Sequence, residues 1–463
     1  MIEKLACERA LSRALSNGGE FAEIYFEDEL TNNLTLIAGQ MDAATTNRNH
    51  GAGIRVYVGL NSVYVHTCDT GEAGLMKAAV QAAGAVRQAK EKRMDIVLDS
   101  MQAVKERHAA RLIPRDTEGK RKAKWMTAAY HAAKDVDAAI SQVLVSLRDS
   151  EKFIAVCNSN GLFLTDRRVR VRMGIQAVAS RDGENQVGFE GPGALTGYEL
   201  FEDTIDVTER AKTAATTAVT MLNAEECPAG EMPVAIDSAF GGVIFHEACG
   251  HSLEATSVAM GNSEFCGKMD KQIASKIVTA IDDATIAGAW GSANMDDEGT
   301  PTRKLVLIEN GILKNYMVDR LNGLRMGMES TGSARRESYA YEPTSRMSNT
   351  YIASGESSDE SIIATMGDGL YARKMGGGSI NPATGEFNFA VGEGYLVKDG
   401  KIDRPVRGAT LIGKGSDVLM RIDAVGKDLK LAQGMCGSLS GSIPVCVGQP
   451  MIRVSRLTVG GRK

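Results

Sequence analysis

His246-Glu247-Ala248-Cys249-Gly250-His251, inside the run Phe240–Glu254, is the stretch on which the reading of this 463-residue chain turns. Zinc favours imidazole and thiolate ligands, and a catalytic zinc keeps three protein ligands and one open position. Histidines four apart on a regular helix lie about 40° apart around its axis, so both reach one ion. Here the spacing is five, which on a regular helix separates them by about 140°. A shared ion therefore requires an irregular helix between Ala248 and His251, with one residue looped out as a π-bulge. Gly250, directly before the second histidine, is the residue best able to relax the backbone there. Glu247 stands beside the first ligand, where a carboxylate takes a proton from activated water and returns it to the leaving amine. Without a metal the same residues reduce to a packed or capping histidine pair.

A third ligand is needed. Glu254 lies three residues past His251. Cys436, in Gly434-Met435-Cys436-Gly437, is expected in a glycine-flanked turn that brings a thiolate close to an ion. Cys249 would project from the wrong side of the helix, and Cys446 falls in Ile443–Val447, which reads as a buried strand. Spacing and composition leave Glu254 and Cys436 both open.

Working outward from the motif, Met232–Ile236 reads as a strand before it. From about Gly288 onward, short strands alternate with glycine turns, as in Leu305–Glu309 with Asn310-Gly311 and Tyr395–Lys398 with Asp399-Gly400. That texture predicts an antiparallel sheet, sandwich or barrel. The first half mixes elements. Helices are predicted over Met1–Asn17 (Leu5, Leu11 and Leu15 on one face), Glu72–Lys92, Lys120–Lys134, Asp137–Arg148 and Thr208–Asn223. Strands are predicted at Phe21–Glu27, Leu34–Ile37, Gly53–Leu60, Ser62–His66, Phe153–Cys157, Leu162–Thr165 and Val169–Ala179, with turns at Asn158–Gly161 and Asp182-Gly183. The break Cys227-Pro228-Ala229-Gly230 marks a domain boundary. The expected fold is α+β with two domains. Residues 1–226 form N-terminal helices with an antiparallel sheet; residues 227–463 form a strand-rich, barrel- or sandwich-like domain carrying the motif helix.

Hydrophobic residues make up 43% of the chain and charged residues 24%, the balance of a water-soluble globular protein. The net charge of -5 gives no footprint for nucleic acid. No run approaches the ~18 apolar residues that span a membrane, and the start MIEKLACERALSRAL lacks the features of a secretory signal. Eight scattered cysteines without a CxxC pair argue against a disulfide framework. A cytoplasmic location is expected, with no membrane and no nucleic-acid partner.

The motif sequence HEACGHSLEA (246–255) resembles the HExxxH signature of the TldD side of the TldD/PmbA peptidase family. The resemblance continues through MDDEGTP (295–301), LIENGIL (307–313), STGSARRESY (330–339), RMSNTYI (346–352), GGGSINPATGEFNF (376–389), GMCG (434–437), VGQP (447–450) and TVGG (458–461). It covers nearly all of the second half in order; the first half matches more loosely, through AEIYFED (22–28) and GAGIRVYVG (51–59). It implies a zinc-dependent peptidase of two domains acting on small, extended or unfolded peptides, antibiotic-peptide precursors and antitoxins among them. Its two motif histidines and the cysteine of its GxCG segment bind Zn2+, which falls here on His246, His251 and Cys436, and its motif glutamate falls on Glu247. A lysine and a glutamine usual after that cysteine are replaced by Ser438 and Gly441. Members lacking the histidine motif are silent partners, so the resemblance implies a homodimer or a heterodimer with such a subunit.

Other residues carry weaker signals. Asp296, Asp297 and Glu298 are candidates for supporting a metal ligand or binding a substrate amine, or else form a solvated or turn-stabilising cluster. Arg335-Arg336 is a candidate grip on a substrate carboxylate, or else a surface pair. Gly376-Gly377-Gly378 lacks the Lys-Ser/Thr of a phosphate loop. Competing functions are a non-catalytic peptide-binding or regulatory subunit, which the intact Glu247 argues against, and a cysteine hydrolase using Cys249 or Cys436, for which no partner is readable.

Overall fold

Long runs of alternating apolar residues build the first half around one sheet. The computed structural model describes residues 3–86, 94–381 and 384–461. Strands β1 (Phe21–Ile37), β2 (Gln40–Val58), β3 (Asn61–Thr67), β4 (Gln102–Ala103), β5 (Ile140–Asn158), β6 (Phe163–Arg181), β7 (Glu184–Glu190) and β8 (Gly193–Ala194) run in the order β3-β2-β1-β5-β6-β4, with β7 and β8 also on β6. Every pairing is antiparallel except β4 with β6. Two pairs of helices cover this sheet. Ala6, Cys7, Ala10, Leu11, Ala14 and Leu15 of α1 (Lys4–Leu15), with the alanine face of α2 (Glu72–Ala85), bury Ile24, Ile54 and Val56. At the other end α3 (Gly119–Lys134) and α4 (Val207–Leu222) cover Val143, Val145, Leu147, Val171, Met173 and Ile175. Small residues on the helix faces let the backbones approach the sheet closely.

Several sequence expectations are corrected here. Phe21–Glu27 and Leu34–Ile37 belong to one continuous strand, because β2 pairs along its whole length and β5 from Glu23 to Ile37. Asp137–Arg148 is not a helix: Ile140 starts β5, and Val143, Val145 and Leu147 alternate inward at period two. Leu5, expected on the apolar face of α1, is exposed, and Cys7 and Ala14 complete that face instead. The helix expected over Glu72–Lys92 ends at Ala85; its last residues, 87–93, lie outside the described residues.

The second half holds two larger sheets. β9 (Glu225–Glu226), β10 (Gly230–Ile236), β17 (Gly369–Ile380), β18 (Glu386–Lys398), β19 (Lys401–Arg407), β20 (Thr410–Lys414), β21 (Ile422–Val425) and β24 (Ile452–Gly460) make one of them. Its order β17-β10-β24-β20-β18, with β17 also pairing β18, closes a barrel. The other runs β13 (Ile312–Leu313), β12 (Lys304–Glu309), β11 (Ala280–Asp283), β16 (Asn349–Ile352), β23 (Gly441–Gln449), β22 (Lys430–Ser438), leaving β22 at an edge. A short pair, β14 (Ala334–Arg335) with β15 (Thr344–Ser345), completes the strands. The expected antiparallel texture holds with three parallel exceptions, β10–β17, β19–β9 and β16–β23. The motif helix plugs the barrel: Val243, Ile244, Phe245, Ala248, Cys249 and Leu253 share one buried cluster with Phe389, Leu411, Val454 and Leu457. Among the described residues no helix is long and apolar enough to cross a membrane, and all eight cysteines are free.

Buried ion pairs join the first sheet to the second half. Arg168 of β6 donates to Asp297 Oδ1 at 2.8 Å and to Met295 O at 2.8 Å, and holds Asp166 at 3.0 Å. Arg55 of β2 donates to Glu298 Oε1 at 2.8 Å. Removing one member of such a pair strands the other charge away from water, at a cost of about 3–5 kcal/mol. Arg168→Met is therefore expected to lower the unfolding free energy measured by denaturant titration by that order. Arg48→Met, which removes an ion pair to Asp28 with both side chains exposed on the same sheet, is expected to change it by less than about 1 kcal/mol.

Candidate metal centre

The motif helix changes pitch where the sequence demands it. A 3-10 turn at Ala239–Gly242 leads through Val243–Phe245 to a π-helical turn over His246–Gly250 and a further 3-10 turn at His251–Leu253. A π turn closes i to i+5, so residues five apart stack on one face. The imidazole centroids of His246 and His251 lie 5.1 Å apart at 82°. Gly250 serves differently from expectation. Its φ of -56° is ordinary helix, but a Cβ there would sit 2.2 Å from Met347 Sδ. It is the missing side chain, not the backbone freedom, that the site uses.

Cys436 comes from the edge strand β22, not from the turn expected for it, paired with Ile443 near the tip of the β22–β23 hairpin. Its Sγ lies 3.3 Å from His246 Nε2 and 3.3 Å from His251 Nε2. One ligand atom from each of the three residues falls within 4.8 Å of the others. Bond lengths for tetrahedral zinc place a nitrogen and a sulfur ligand about 3.5 Å apart, so the donors present fit such an ion in both type and spacing. Burial, then the neighbouring His251 and Arg346, hold the His246 pKa well below its ordinary value, which leaves that ring neutral. Burial opposes a charge on His251 too, but Glu254 and Cys436 outweigh it and raise its pKa. His251 Nδ1 donates to Glu254 Oε2 at 3.0 Å, which turns Nε2 toward the sulfur. Glu254 is thus the orienting partner of a histidine rather than a member of the triad. Glu247, the half-exposed residue of the motif, places Oε2 3.7 Å from His251 Nε2. Burial pushes its carboxyl up from the ordinary value. Cys249 is buried in the barrel core and Cys446 within β23, both apart from the triad.

The acidic triplet and the arginine pair are neither solvated nor on the surface; all five are buried. Asp296 accepts from the backbone N–H of Glu298, Thr300 and Ala334. Asp297 faces Arg168 and the backbone N–H of Arg336, and Glu298 takes Arg55, Tyr57 and the N–H of Arg320. Arg335 donates to Met347 O and Pro444 O, while Arg336 donates to Asp297 O and Tyr64 and lies 4.2 Å over the Tyr25 ring. Their partners tie elements together, and none belongs to the His–His–Cys cluster. Gly376-Gly377-Gly378 lies within β17. A cavity of about 500 Å³, lined by Phe26, Met101, Val104, Phe153 and Ile154 among others, also contains none of the triad. Sequence reasoning gave no role to Arg346 and Met347, which open the family-like run RMSNTYI but carry no ligand spacing, and which sit in an irregular segment between β15 and β16.

Three models of the PmbA/TldA metallopeptidase family match the chain: domain 1 over residues 22–86, the central domain over 113–222 and the C-terminal domain over 229–461. Relatives named metalloprotease TldD homolog include one from Haemophilus influenzae, 34% identical over 96% of this chain and 93% of its own length. Another, from Buchnera aphidicola subsp. Schizaphis graminum, is 42% identical over 72% of this chain and 70% of its own. A Saccharolobus solfataricus relative, named a zinc metalloprotease TldD homolog, is 31% identical over 56% of this chain and 58% of its own. The fold matches a Thermotoga maritima crystal structure with TM-score 0.80 at 22% identity, covering 98% of this chain and 99% of that one. TldE from Thermococcus kodakarensis matches with TM-score 0.76 at 19% identity, over 98% and 100%. Gly250→Ala, which forces a methyl against Met347, is expected to destabilise the chain by about 1–3 kcal/mol in thermal unfolding. Gly250→Ala combined with Met347→Ala is expected to cost less than the two single substitutions summed, because the added methyl enters space that the methionine vacates.

Proposed function

The chain belongs to the PmbA/TldD metallopeptidase family, and from that premise we propose that it is a zinc-dependent peptidase hydrolysing small, extended or unfolded peptides. The observation that carries this reading is the meeting of two imidazoles and a thiol beside an intact Glu247. His246, His251 and Cys436 are the ligands, and Glu247 is the proton carrier. A divalent ion held there would supply Lewis acidity toward water and a substrate carbonyl. Glu247 Oε2, next to His251, then accepts a proton from the attacking water and delivers it to the departing amide nitrogen. Glu254 keeps the His251 Nε2 lone pair directed at the ligand position.

Extended substrates are favoured by the strand that bears Cys436. β22 is an edge, and the hairpin register pairs Cys436 with Ile443 and Ser438 with Gly441. The alternate residues, Met435 and Gly437, direct their main-chain groups outward, where a peptide strand can add through bonds indifferent to sequence. A folded protein offers no such free strand. The reading extends to two domains meeting at 226/227, to work in the cytoplasm, where free cysteines persist, and to assembly as a homodimer or with a related subunit lacking the histidine motif.

The purified chain is expected to carry zinc, to cleave an unstructured peptide and to lose cleavage to a strong chelator. Glu247→Gln is expected to retain the metal while its turnover falls by about 10²- to 10⁴-fold. A Glu247→Gln protein that holds zinc and cleaves at the parental rate would contradict the role of Glu247. Full cleavage in chelator would contradict the metal reading and return attention to a cysteine nucleophile.

A further inference from the structure

Arg346 is one of the most deeply buried charged residues of the described chain, and it stands between the two elements that supply the triad. Its Nη2 donates to Cys436 O at 2.6 Å. Nη1 donates to Ser440 Oγ at 2.9 Å and to Gly441 O at 3.0 Å, both at the tip of the β22–β23 hairpin. Nε, with no hydrogen-bond acceptor among the described residues, faces Glu254 Oε1 at 3.8 Å. Glu254 in turn accepts from His251 Nδ1 and, at 3.3 Å, from the N–H of Met347. The Arg346 backbone is itself fixed, its N–H donating to Ser333 O at 2.9 Å.

A buried guanidinium is costly unless every side of it finds a partner. Here one face grips the hairpin of Cys436 and the other meets the carboxylate that orients His251. The planar fork of an arginine spans these separate acceptors at fixed angles; the single ammonium of a lysine does not. We propose that Arg346 is a positioning residue of the metal centre, holding Cys436 and, through Glu254, His251 in one rigid frame. The proposal rests on reading the triad as a metal site. Groups that orient ligands from behind typically change metal affinity by about 10- to 100-fold when removed.

The test measures zinc affinity of the full-length chain by competition with a chromogenic chelator. The thiolate-to-cobalt absorption of the cobalt-loaded protein and far-ultraviolet circular dichroism are recorded alongside. Arg346→Met is expected to keep its dichroism while zinc binds about 10- to 100-fold more weakly and the cobalt–thiolate band falls. Arg346→Lys should restore only part of the loss. Glu254→Gln should weaken zinc binding too, and the Glu254→Gln/Arg346→Met pair should lose less than the two singles combined. Parental affinity and an unchanged cobalt spectrum in a folded Arg346→Met would overturn the proposal. If that variant does not fold, Ser440→Ala decides, because it removes one acceptor of the clamp and leaves the charge in place. Weakened zinc binding in Ser440→Ala upholds the proposal, and parental binding overturns it. A parent chain that binds neither zinc nor cobalt would overturn the metal reading and this proposal with it. Variants that match a zinc-binding parent overturn the proposal alone.

Discussion

Two imidazoles five residues apart can face the same point only where the helix between them is under-wound. The turn over His246–Gly250 meets that condition, and much of the surrounding packing holds it in place. The apolar side of the helix is sunk into the barrel core. Gly415 comes so close that a Cβ on it would lie 2.3 Å from Ala248 O, and Met347 fills the space beside Gly250. With those faces committed, His246 and His251 are left to meet the β22–β23 hairpin at Cys436.

Charge burial supplies the second constraint. The motif helix and Cys436 stand nearly 190 residues apart in the chain, and apolar packing alone sets relative positions only loosely. Arginines fix them through directed bonds: Arg335 joins Met347 O to Pro444 O on β23, and Arg346 joins the hairpin tip to the surroundings of Glu254. The same device links the halves, with Arg55 and Arg168 of the first sheet meeting Glu298 and Asp297. A misplaced element would leave a charge without its partner in a dry interior, so these pairs specify geometry more than they add stability.

What the sequence made legible follows from local periodicity. The distortion of the motif helix is simple arithmetic on 3.6 residues per turn, and the clean alternation of Val169–Ala179 announced part of β6. Asp137–Arg148 reads as a helix because Ile140, Val143 and Leu147 also recur at helical spacing, and a bulge after Ile140 hides the start of the alternation. The acidic triplet reads as surface in any local window, since the arginines that make its burial tolerable lie over a hundred residues away in the first sheet. Likewise no spacing rule brings Cys436 to the histidines; that expectation came from the family resemblance. Barrel closure through β17 and β18, and the part taken by Arg346, are equally non-local: GGGSINPATGEFNF and RMSNTYI mark both places as family-like, but no spacing within them reveals the contact.

The central claim is that one thiolate and two imidazoles share one ion. X-ray absorption at the zinc edge of the metal-loaded chain tests it directly. The account predicts a coordination shell with one sulfur near ~2.3 Å and two imidazole nitrogens at about 2.0–2.1 Å, the sulfur vanishing in Cys436→Ser. A shell of nitrogen and oxygen alone in the parent chain would contradict it.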